Sequence, residues 1–141
     1  MSDAPLIYLV AGEPSGDAIG ARLMAALSEM TNGRIRFAGV GGAQMRQQGL
    51  RSLFPMDELS VMGIAETLPH LRNLLRRIRE TAAAVDAAGP QALVTIDSPD
   101  FSRRVARRIA DRSIPRIHYV APTVWAWRPW RAKGFARDFT H

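Results

Sequence analysis

"LIYLVAGEPSGDAIG", residues 6–20, joins an apolar run to the start of a helical pattern and decides the fold class. The run from Leu6 to Ala11 is typical of a strand that is covered on both faces of a parallel sheet. From Ser15 to Met30, apolar residues recur on one helical face, and Ser15 is a suitable N-cap. The apolar residues on this face are Ile19, Leu23, Leu27 and Met30. The stretch therefore predicts a strand followed by a helix.

Three further apolar runs read as strands: "IRFAGV" (35–40), "ALVTID" (92–97) and "RIHYVAP" (116–122). Helical patterns separate them, one beginning near Thr67 and another covering Phe101 to Arg112. This alternation predicts an α/β fold, with a doubly wound, mainly parallel sheet and right-handed crossovers. Ligands of such sheets bind beyond the carboxyl ends of the strands, so the residues that follow each strand are the site candidates.

Composition restricts the classes of function. The chain has 141 residues, 47% of them hydrophobic and 23% charged, and it contains no cysteine, so disulfides and thiolate metal sites are excluded. No apolar run approaches the ~20 residues that span a bilayer, and the start "MSDAPLIYLVAGE" lacks the basic region of a signal peptide. We therefore expect a cytoplasmic location. A net charge of +6 favours an anionic partner: a phosphate ester, nucleic acid or an anionic bilayer.

The loop "VAGEPSGD" (10–17) resembles a phosphate loop but lacks both the Walker sequence and the G-x-G-x-x-G pattern. A pyrophosphate on its backbone amides would face the carboxylates of Glu13 and Asp17, whereas a ligand rich in hydroxyls would find acceptors there. Glu13 precedes the predicted helix and is interpreted as facing a ligand. Asp17 and Gly16 also have structural explanations, a favourable helix dipole and a tight turn.

The stretch "IDSPDF" (96–101) places Asp97 at the end of an apolar strand, and Asp97 is the first candidate for a general base. Aspartate in a loop is also a common turn former. Ser98 is predicted to cap a helix with Pro99 at N1, which gives Asp100 a structural explanation in the first turn. The glycines of "GVGG" (39–42) could border a sugar pocket or only permit close packing.

Two other stretches suggest binding surfaces. In "APTVWAWRPWR" (121–131), tryptophan beside arginine suits stacking on a sugar or base and pairing with phosphate, although tryptophan also fills cores and interfaces. In "IAETLPHLRNLLRRIRE" (64–80), leucines form a broad stripe beside several arginines. This helix either packs its leucines on the sheet or lies on an anionic membrane.

The motifs together resemble the amino-terminal part of the lipid-A-disaccharide synthases. They are "VAGEPSGD" (10–17), "GVGGAQM" (39–45), "ELSVMGIAETL" (58–68), "IDSPDF" (96–101) and "HYVAPTVWAWR" (118–128). The resemblance implies an inverting glycosyltransferase of the GT-B type, which has two Rossmann-like domains with the active cleft between them. Residues 1–141 would be the acceptor-binding domain, and a carboxyl-terminal nucleotide-sugar domain would be absent. We expect such a fragment to be inactive alone.

The resemblance also implies a reaction and its site. The family transfers 2,3-diacylglucosamine from its UDP derivative to 2,3-diacylglucosamine 1-phosphate, forming a β-1′,6 linkage and releasing UDP without a cofactor or metal. Asp97 matches the base, and Glu13 matches a second acid facing the cleft. The residues expected to bind substrate are Gly12, Ser15, Gly16, Asp17, Gly41, Asp100, Trp125 and Arg128.

Because both substrates carry acyl chains, the resemblance favours the membrane interpretation of the leucine-rich helix. The expected location is peripheral, on the cytoplasmic face of the inner membrane. The residues expected to contact the membrane are Leu68, Leu71, Arg72, Leu74, Leu75 and Arg76.

Two alternatives from other classes remain. The chain could be a nucleotide-binding module that uses Gly12 to Gly16 as its phosphate loop, but Glu13 and Asp17 argue against this. A nucleic-acid-binding module would explain the positive charge and the tryptophans. The aromatic residues are clustered at one strand end, however, and no RNA-binding signature is present.

Overall fold

Four parallel strands form the centre of the fold in the computed structural model, which describes residues 4–61, 68–119 and 137–141. The strands are β1 (Leu6–Ala11), β2 (Arg36–Val40), β3 (Ala92–Ile96) and β4 (Arg116–Tyr119). The helices are α1 (Pro14–Met30), α2 (Ala43–Gln47), α3 (Asp57–Val61), α4 (Leu68–Ala88) and α5 (Pro99–Arg108). The α/β class and the four strands predicted from the apolar runs are confirmed. The expected residues Trp125 and Arg128 lie outside the described residues.

The strand order β2-β1-β3-β4 makes the sheet doubly wound. From β1 the chain moves to β2 on one side, and from β2 it crosses back over β1 to reach β3 on the other side. The neighbours β1 and β3 therefore flank the point where the winding direction reverses, and a crevice opens there at the carboxyl ends of the strands. An isolated parallel bridge between Gly39 and Ser52 pairs one further segment of the chain with β2.

Right-handed crossovers place the helices on both faces of the sheet, with α1 against α2 and α4 against α5. The core between them is built on the fully buried strand residues Leu9, Val10 and Ile96. Phe54 and Phe101 extend it toward the carboxyl edge of the sheet with an edge-to-face contact, their ring centroids 6.3 Å apart. None of the helices in the described ranges combines the length and the apolar character that crossing a membrane requires.

Gly39 allows β2 to lie close to β1. Its φ of 142° lies in the region that favours glycine, and a Cβ at this position would overlap the carbonyl oxygen of Leu9 on the neighbouring strand. Leu53 donates its N–H to the Gly39 carbonyl at 2.8 Å, which holds the segment that contains Leu53 on the outer side of β2. The first glycine of "GVGG" therefore has a packing reason.

Helix α1 begins two residues earlier than an N-cap at Ser15 predicts, so the N-cap prediction for Ser15 is wrong. The N-cap residue is Glu13, and Pro14 occupies the first helical turn, where its missing N–H has no cost. Ser15 consequently lies inside the helix, and its hydroxyl is directed to a distant residue instead of to its own backbone.

Helix α5 ends at Arg108, four residues before the predicted end at Arg112. Ile109 is extended, and the following turn is held by the carboxylate of Asp86 on α4, which accepts the N–H groups of Ala110 and Asp111 at 3.0 and 3.1 Å. Arg112 folds back and donates to carbonyl oxygens at the end of α5. Capping by charged side chains thus replaces the last predicted turn.

Asp17 joins α1 to α2. Its side chain is 5% exposed, and its carboxylate accepts the N–H groups of Gly42, Gln44 and Met45 at 2.9, 3.0 and 2.9 Å. These are amino-terminal amides of α2, so the carboxylate caps a second helix rather than only favouring the dipole of its own. Both oxygens are therefore occupied by backbone donors, which gives Asp17 a structural role.

We expect Asp17→Ala to lower the free energy of unfolding by about 3 kcal/mol, because three amides lose a charged, buried acceptor. Asp100→Ala is the matched control, since Asp100 also lies in a first helical turn but is exposed, and its ion-pair partner within the described ranges is Arg104, at 3.5 Å. That control should change stability by less than about 0.5 kcal/mol. Chemical denaturation of both variants measures the difference, and equal effects would contradict the capping role.

Candidate active site

The register of β1 and β3 brings two sequence-predicted acids together. Ala11 is paired with Ile96, so the residues that follow the two strands emerge side by side at the switch point. The Ser15 hydroxyl donates to Asp97 Oδ2 at 3.1 Å, and Glu13 lies close enough to Asp97 for a hydrogen bond between the two side chains. The structure thus brings Glu13, Ser15 and Asp97 into one cluster.

The backbone at the end of β3 adopts an uncommon conformation. Asp97 and Ser98 have φ values of 56° and 43°, and both are non-glycine residues in the left-handed region. Hydrogen bonds hold the turn: the Asp97 N–H donates to the carbonyl of Tyr119 at 3.1 Å, and the Ser102 hydroxyl donates to the Asp97 carbonyl at 3.0 Å. Strained backbone of this kind is found mostly where a functional side chain must be held in place.

Ser98 occupies the predicted N-cap position of α5, but its side chain makes no capping hydrogen bond. The left-handed backbone directs the side chain toward Gly12 instead, where a Cβ would overlap the Ser98 hydroxyl oxygen. Leu59 of α3 also approaches this point, with its Cδ1 3.3 Å from the position of that Cβ. Gly12 therefore leaves room for the Ser98 side chain where the strand-end loops meet.

The electrostatics of the acid pair differ from those of isolated carboxylates. Partial burial raises the pKa of Glu13 above its ordinary value of 4.5, and the charge of Asp97 and a hydrogen bond to Asp97 raise it further. Glu13 therefore retains its proton to a higher pH than a free glutamate and can donate that proton in a hydrogen bond to Asp97. The cluster can take a proton from a bound hydroxyl group and can hydrogen-bond a ligand rich in hydroxyls.

The structure gives packing or surface positions to the other expected binding residues within the described ranges, Gly16, Gly41 and Asp100. Gly16 lets α1 approach the end of β3, since a Cβ there would lie 3.3 Å from the Ile96 carbonyl oxygen. Gly41 donates its N–H to the Ser52 hydroxyl at 3.1 Å. Asp100 is exposed on α5. Among the described residues, no group of three or more histidine, aspartate or glutamate side chains could hold a metal ion.

The leucine stripe of α4 divides into two parts. Leu68, Leu71 and Leu75 are exposed by 60%, 50% and 40%, whereas Leu74 is half-buried and packs against the core, as does the buried Ile78. One edge of the stripe packs on the sheet, as the packing alternative predicts, and the other faces outward; contact with a membrane stays a prediction. Three exposed arginines accompany the outward part: Arg72, Arg76 and Arg79.

A polar clamp that the sequence analysis missed joins α3 to α4. The Glu58 carboxylate accepts Asn73 Nδ2 at 2.8 Å and Arg77 Nη2 at 2.7 Å, and these hydrogen bonds, first that of Arg77, lower the pKa of Glu58. The Arg77 guanidinium also lies over the Phe54 ring, 4.6 Å from its centroid. The spacing of Asn73 and Arg77, one helical turn apart, is the signal that could have indicated a shared partner.

The fold and the cluster define a class of protein. A doubly wound parallel sheet with a carboxylate pair at its switch point is a Rossmann-like domain that has a ligand site at the carboxyl edge. In a domain of this type the functional residues usually lie at that edge, where this chain places Glu13 and Asp97.

Residues 7–141 match the family model described as lipid-A-disaccharide synthetase, and the chain belongs to this family. The resemblance inferred from the motifs is thereby confirmed. A lipid-A-disaccharide synthase of Rhodospirillum centenum is 56% identical over 138 residues, and those of Paramagnetospirillum magneticum and Ruegeria pomeroyi are each 54% identical, over 134 and 136 residues.

The alignments cover 96%, 94% and 96% of this chain but only 34% of each of the three relatives. The chain therefore spans about a third of the length of the curated relatives that it matches.

We expect Glu13→Gln to stabilise the chain near neutral pH. Because the pKa of Glu13 is raised in the folded state, ionising this carboxyl costs the folded state more than the unfolded state. The cost is absent below about pH 4, where glutamate is protonated in both states, and it grows as the pH rises through the raised pKa.

Thermal unfolding from pH 3.5 to 8 measures this effect. The melting temperature of the Glu13→Gln variant should match that of the parent at the acidic end and exceed it at the neutral end. Glu29→Gln, at the exposed far end of α1, is the control and should follow the parent throughout. A constant offset across the pH range would argue against a charge effect at Glu13.

Proposed function

We propose that this protein acts as a lipid-A-disaccharide synthase. It transfers 2,3-diacylglucosamine from the UDP derivative to 2,3-diacylglucosamine 1-phosphate, forms a β-1′,6 linkage and releases UDP. The observation that carries the proposal is the cluster of Asp97, Glu13 and Ser15 at the switch point, in a chain whose family carries this name.

Asp97 is the general base of the proposed reaction. As O6 of the acceptor attacks C1 of the donor sugar from the face opposite UDP, the bond between C1 and the phosphate oxygen breaks, and Asp97 takes the proton of the 6-hydroxyl. The hydroxyl of Ser15, 3.1 Å from Oδ2, and the neighbouring Glu13 orient the carboxylate. The left-handed backbone at residues 97 and 98 fixes where the base stands relative to the bound hydroxyl.

The proposed substrate contacts surround this base. We assign residues 1–141 to the acceptor-binding domain of a GT-B enzyme and the nucleotide to a carboxyl-terminal domain. Neither a metal nor a cofactor takes part in the proposed transfer. The proposed binding residues are Gly12, Ser15, Gly16, Asp17, Gly41, Asp100, Trp125 and Arg128, of which Asp17 acts through the backbone of α2.

The first turns of α4 form the proposed contact with the membrane. Exposed leucines next to exposed arginines suit the boundary between acyl chains and anionic headgroups. The contact would place the protein on the cytoplasmic face of the inner membrane, where acylated substrates reach the site. Leu68, Leu71 and Leu75 supply apolar area and Arg72 and Arg76 the charge, while Leu74 supports them from the core.

We expect Asp97→Asn, in a full-length enzyme that carries these residues, to lower kcat by about 10² to 10⁴, because the amide cannot accept the hydroxyl proton. The KM for the acceptor should change little, since the amide keeps the size of the carboxylate. Turnover assays with the control Glu29→Gln, which should have parental kcat, measure the loss. Near-parental turnover by the Asp97 variant would show that Asp97 is not the general base.

We expect the triple variant Leu68→Ser, Leu71→Ser, Leu75→Ser to bind anionic liposomes at least about 100-fold more weakly, because each buried leucine contributes about 1.5–3 kcal/mol. Met30→Ser is the control, since Met30 is 79% exposed at the end of α1, away from α4. Liposome co-sedimentation measures the affinity. Equal loss in the control, or none in the triple variant, would refute membrane contact through α4.

A further inference from the structure

A cavity of about 510 Å³ opens beside the acid cluster, on the β2 side of the switch point. Its walls come from the start of α1, the loop and helix that follow β2, and residues 52–57. The lining residues include Pro14, Gly42, Gln44, Arg46, Ser52 and Asp57. Because Pro14 directly follows Glu13, the cavity borders the acid cluster.

Several backbone amides at the cavity walls, among them those of Gly41, Gly42 and Gln44, already have hydrogen-bond partners. The Ser52 hydroxyl accepts the Gly41 N–H at 3.1 Å and donates to the Phe54 carbonyl at 2.6 Å. The Asp17 carboxylate takes the amides at the start of α2. These hydrogen bonds hold the walls together, so a ligand in the cavity would be recognised mainly by side chains.

Arg46 is the one cation among the described residues that line the cavity. It is exposed on α2 and makes no ion pair with a carboxylate of the described residues. The side chain of Gln44, also exposed, lines the same space. A guanidinium and an amide both offer N–H donors, the groups that bind the oxygens of a phosphate.

The carboxylates determine how a phosphorylated ligand would lie. Asp57 lines the cavity, and Glu13 directly precedes Pro14 at its border; carboxylates repel a phosphate but accept hydrogen bonds from sugar hydroxyls. A ligand that carries both groups is therefore favoured with its hydroxyls toward the acids and its phosphate toward Arg46. The nearby base cluster requires one of those hydroxyls to face Asp97.

We propose that this cavity binds the phosphate-bearing end of the acceptor sugar, with Arg46 and Gln44 as the phosphate ligands. The proposal rests on the proposed function, since it is the acceptor hydroxyl that must reach Asp97. The diphosphate of the UDP-linked donor offers the same kind of phosphate oxygens. The test therefore compares the phosphorylated sugar with UDP.

The first test is steady-state kinetics in a full-length enzyme that carries these residues. We expect Arg46→Gln to raise the KM for the phosphorylated acceptor about tenfold or more, with kcat at saturation within about twofold, because a charge-assisted contact is lost far from the reacting atoms. Arg46→Lys should restore part of the affinity. Arg34→Gln, an exposed arginine before β2 at the opposite edge of the sheet, is the matched control and should leave both constants unchanged.

The second test is calorimetric binding of glucosamine 1-phosphate, glucosamine and UDP to the parent and to Arg46→Gln. The proposal predicts that the variant loses affinity for glucosamine 1-phosphate and not for the other two. Loss of UDP affinity instead would assign the cavity to the nucleotide and overturn the proposal. Unchanged binding of all three would show that Arg46 is a surface residue only and would also overturn it.

Together, the two tests distinguish failure of the proposed phosphate subsite from failure of the proposed function. If the parent enzyme transfers the sugar and Arg46→Gln has a parental KM, the subsite is wrong and the proposed function stands. If the parent shows no transfer but the variant loses glucosamine 1-phosphate binding, the proposed function fails and the phosphate subsite is supported.

Discussion

The parallel pairing of β1 with β3 is the constraint on which the site depends. This pairing sets Ala11 beside Ile96, so the loop that carries Glu13 and the loop that carries Asp97 leave the sheet together. A shift of one residue would turn the side chains of β3 to the other face and separate the acids. Residues 82 positions apart in sequence, Ser15 and Asp97, are in hydrogen-bond contact because of this register.

Local features maintain that arrangement. Gly12 has no side chain to displace Ser98, and Asp17 fixes the start of α2 against α1. The clamp of Glu58 and Arg77 holds α3 on α4, and Leu59 of α3 approaches the Gly12 loop. The helix with the exposed leucines is thus connected to the acid cluster by packed contacts, so the proposed membrane contact and the proposed chemistry depend on neighbouring parts of one framework.

The sequence predicted the strands well because fully apolar runs have few alternative structures. It also identified Asp97 as a candidate base and Glu13 as a ligand-facing acid, because both follow strands and Asp97 had no sufficient structural role. The structure brings the two side chains together, and their chemistry remains a proposal.

Other features depended on contacts that a sequence does not contain. The residue type of Ser15 alone predicts an N-cap, yet the Ser15 hydroxyl donates its hydrogen bond to Asp97. The amides bound by Asp17 lie 25 to 28 residues away, so the capping of α2 had no local signal. Helices α2 and α3, with five residues each, are too short to show a helical period.

We propose that this sheet edge receives an acceptor sugar at Glu13 and Asp97. The most direct measurement is an NMR titration of the chain with a short-chain 2,3-diacylglucosamine 1-phosphate and, separately, with UDP. We expect the amide signals of Glu13, Ser15 and Asp97 to shift with the acylated sugar and to respond little to UDP. Tight UDP binding centred on residues 12–16, with no response to the sugar, would contradict it.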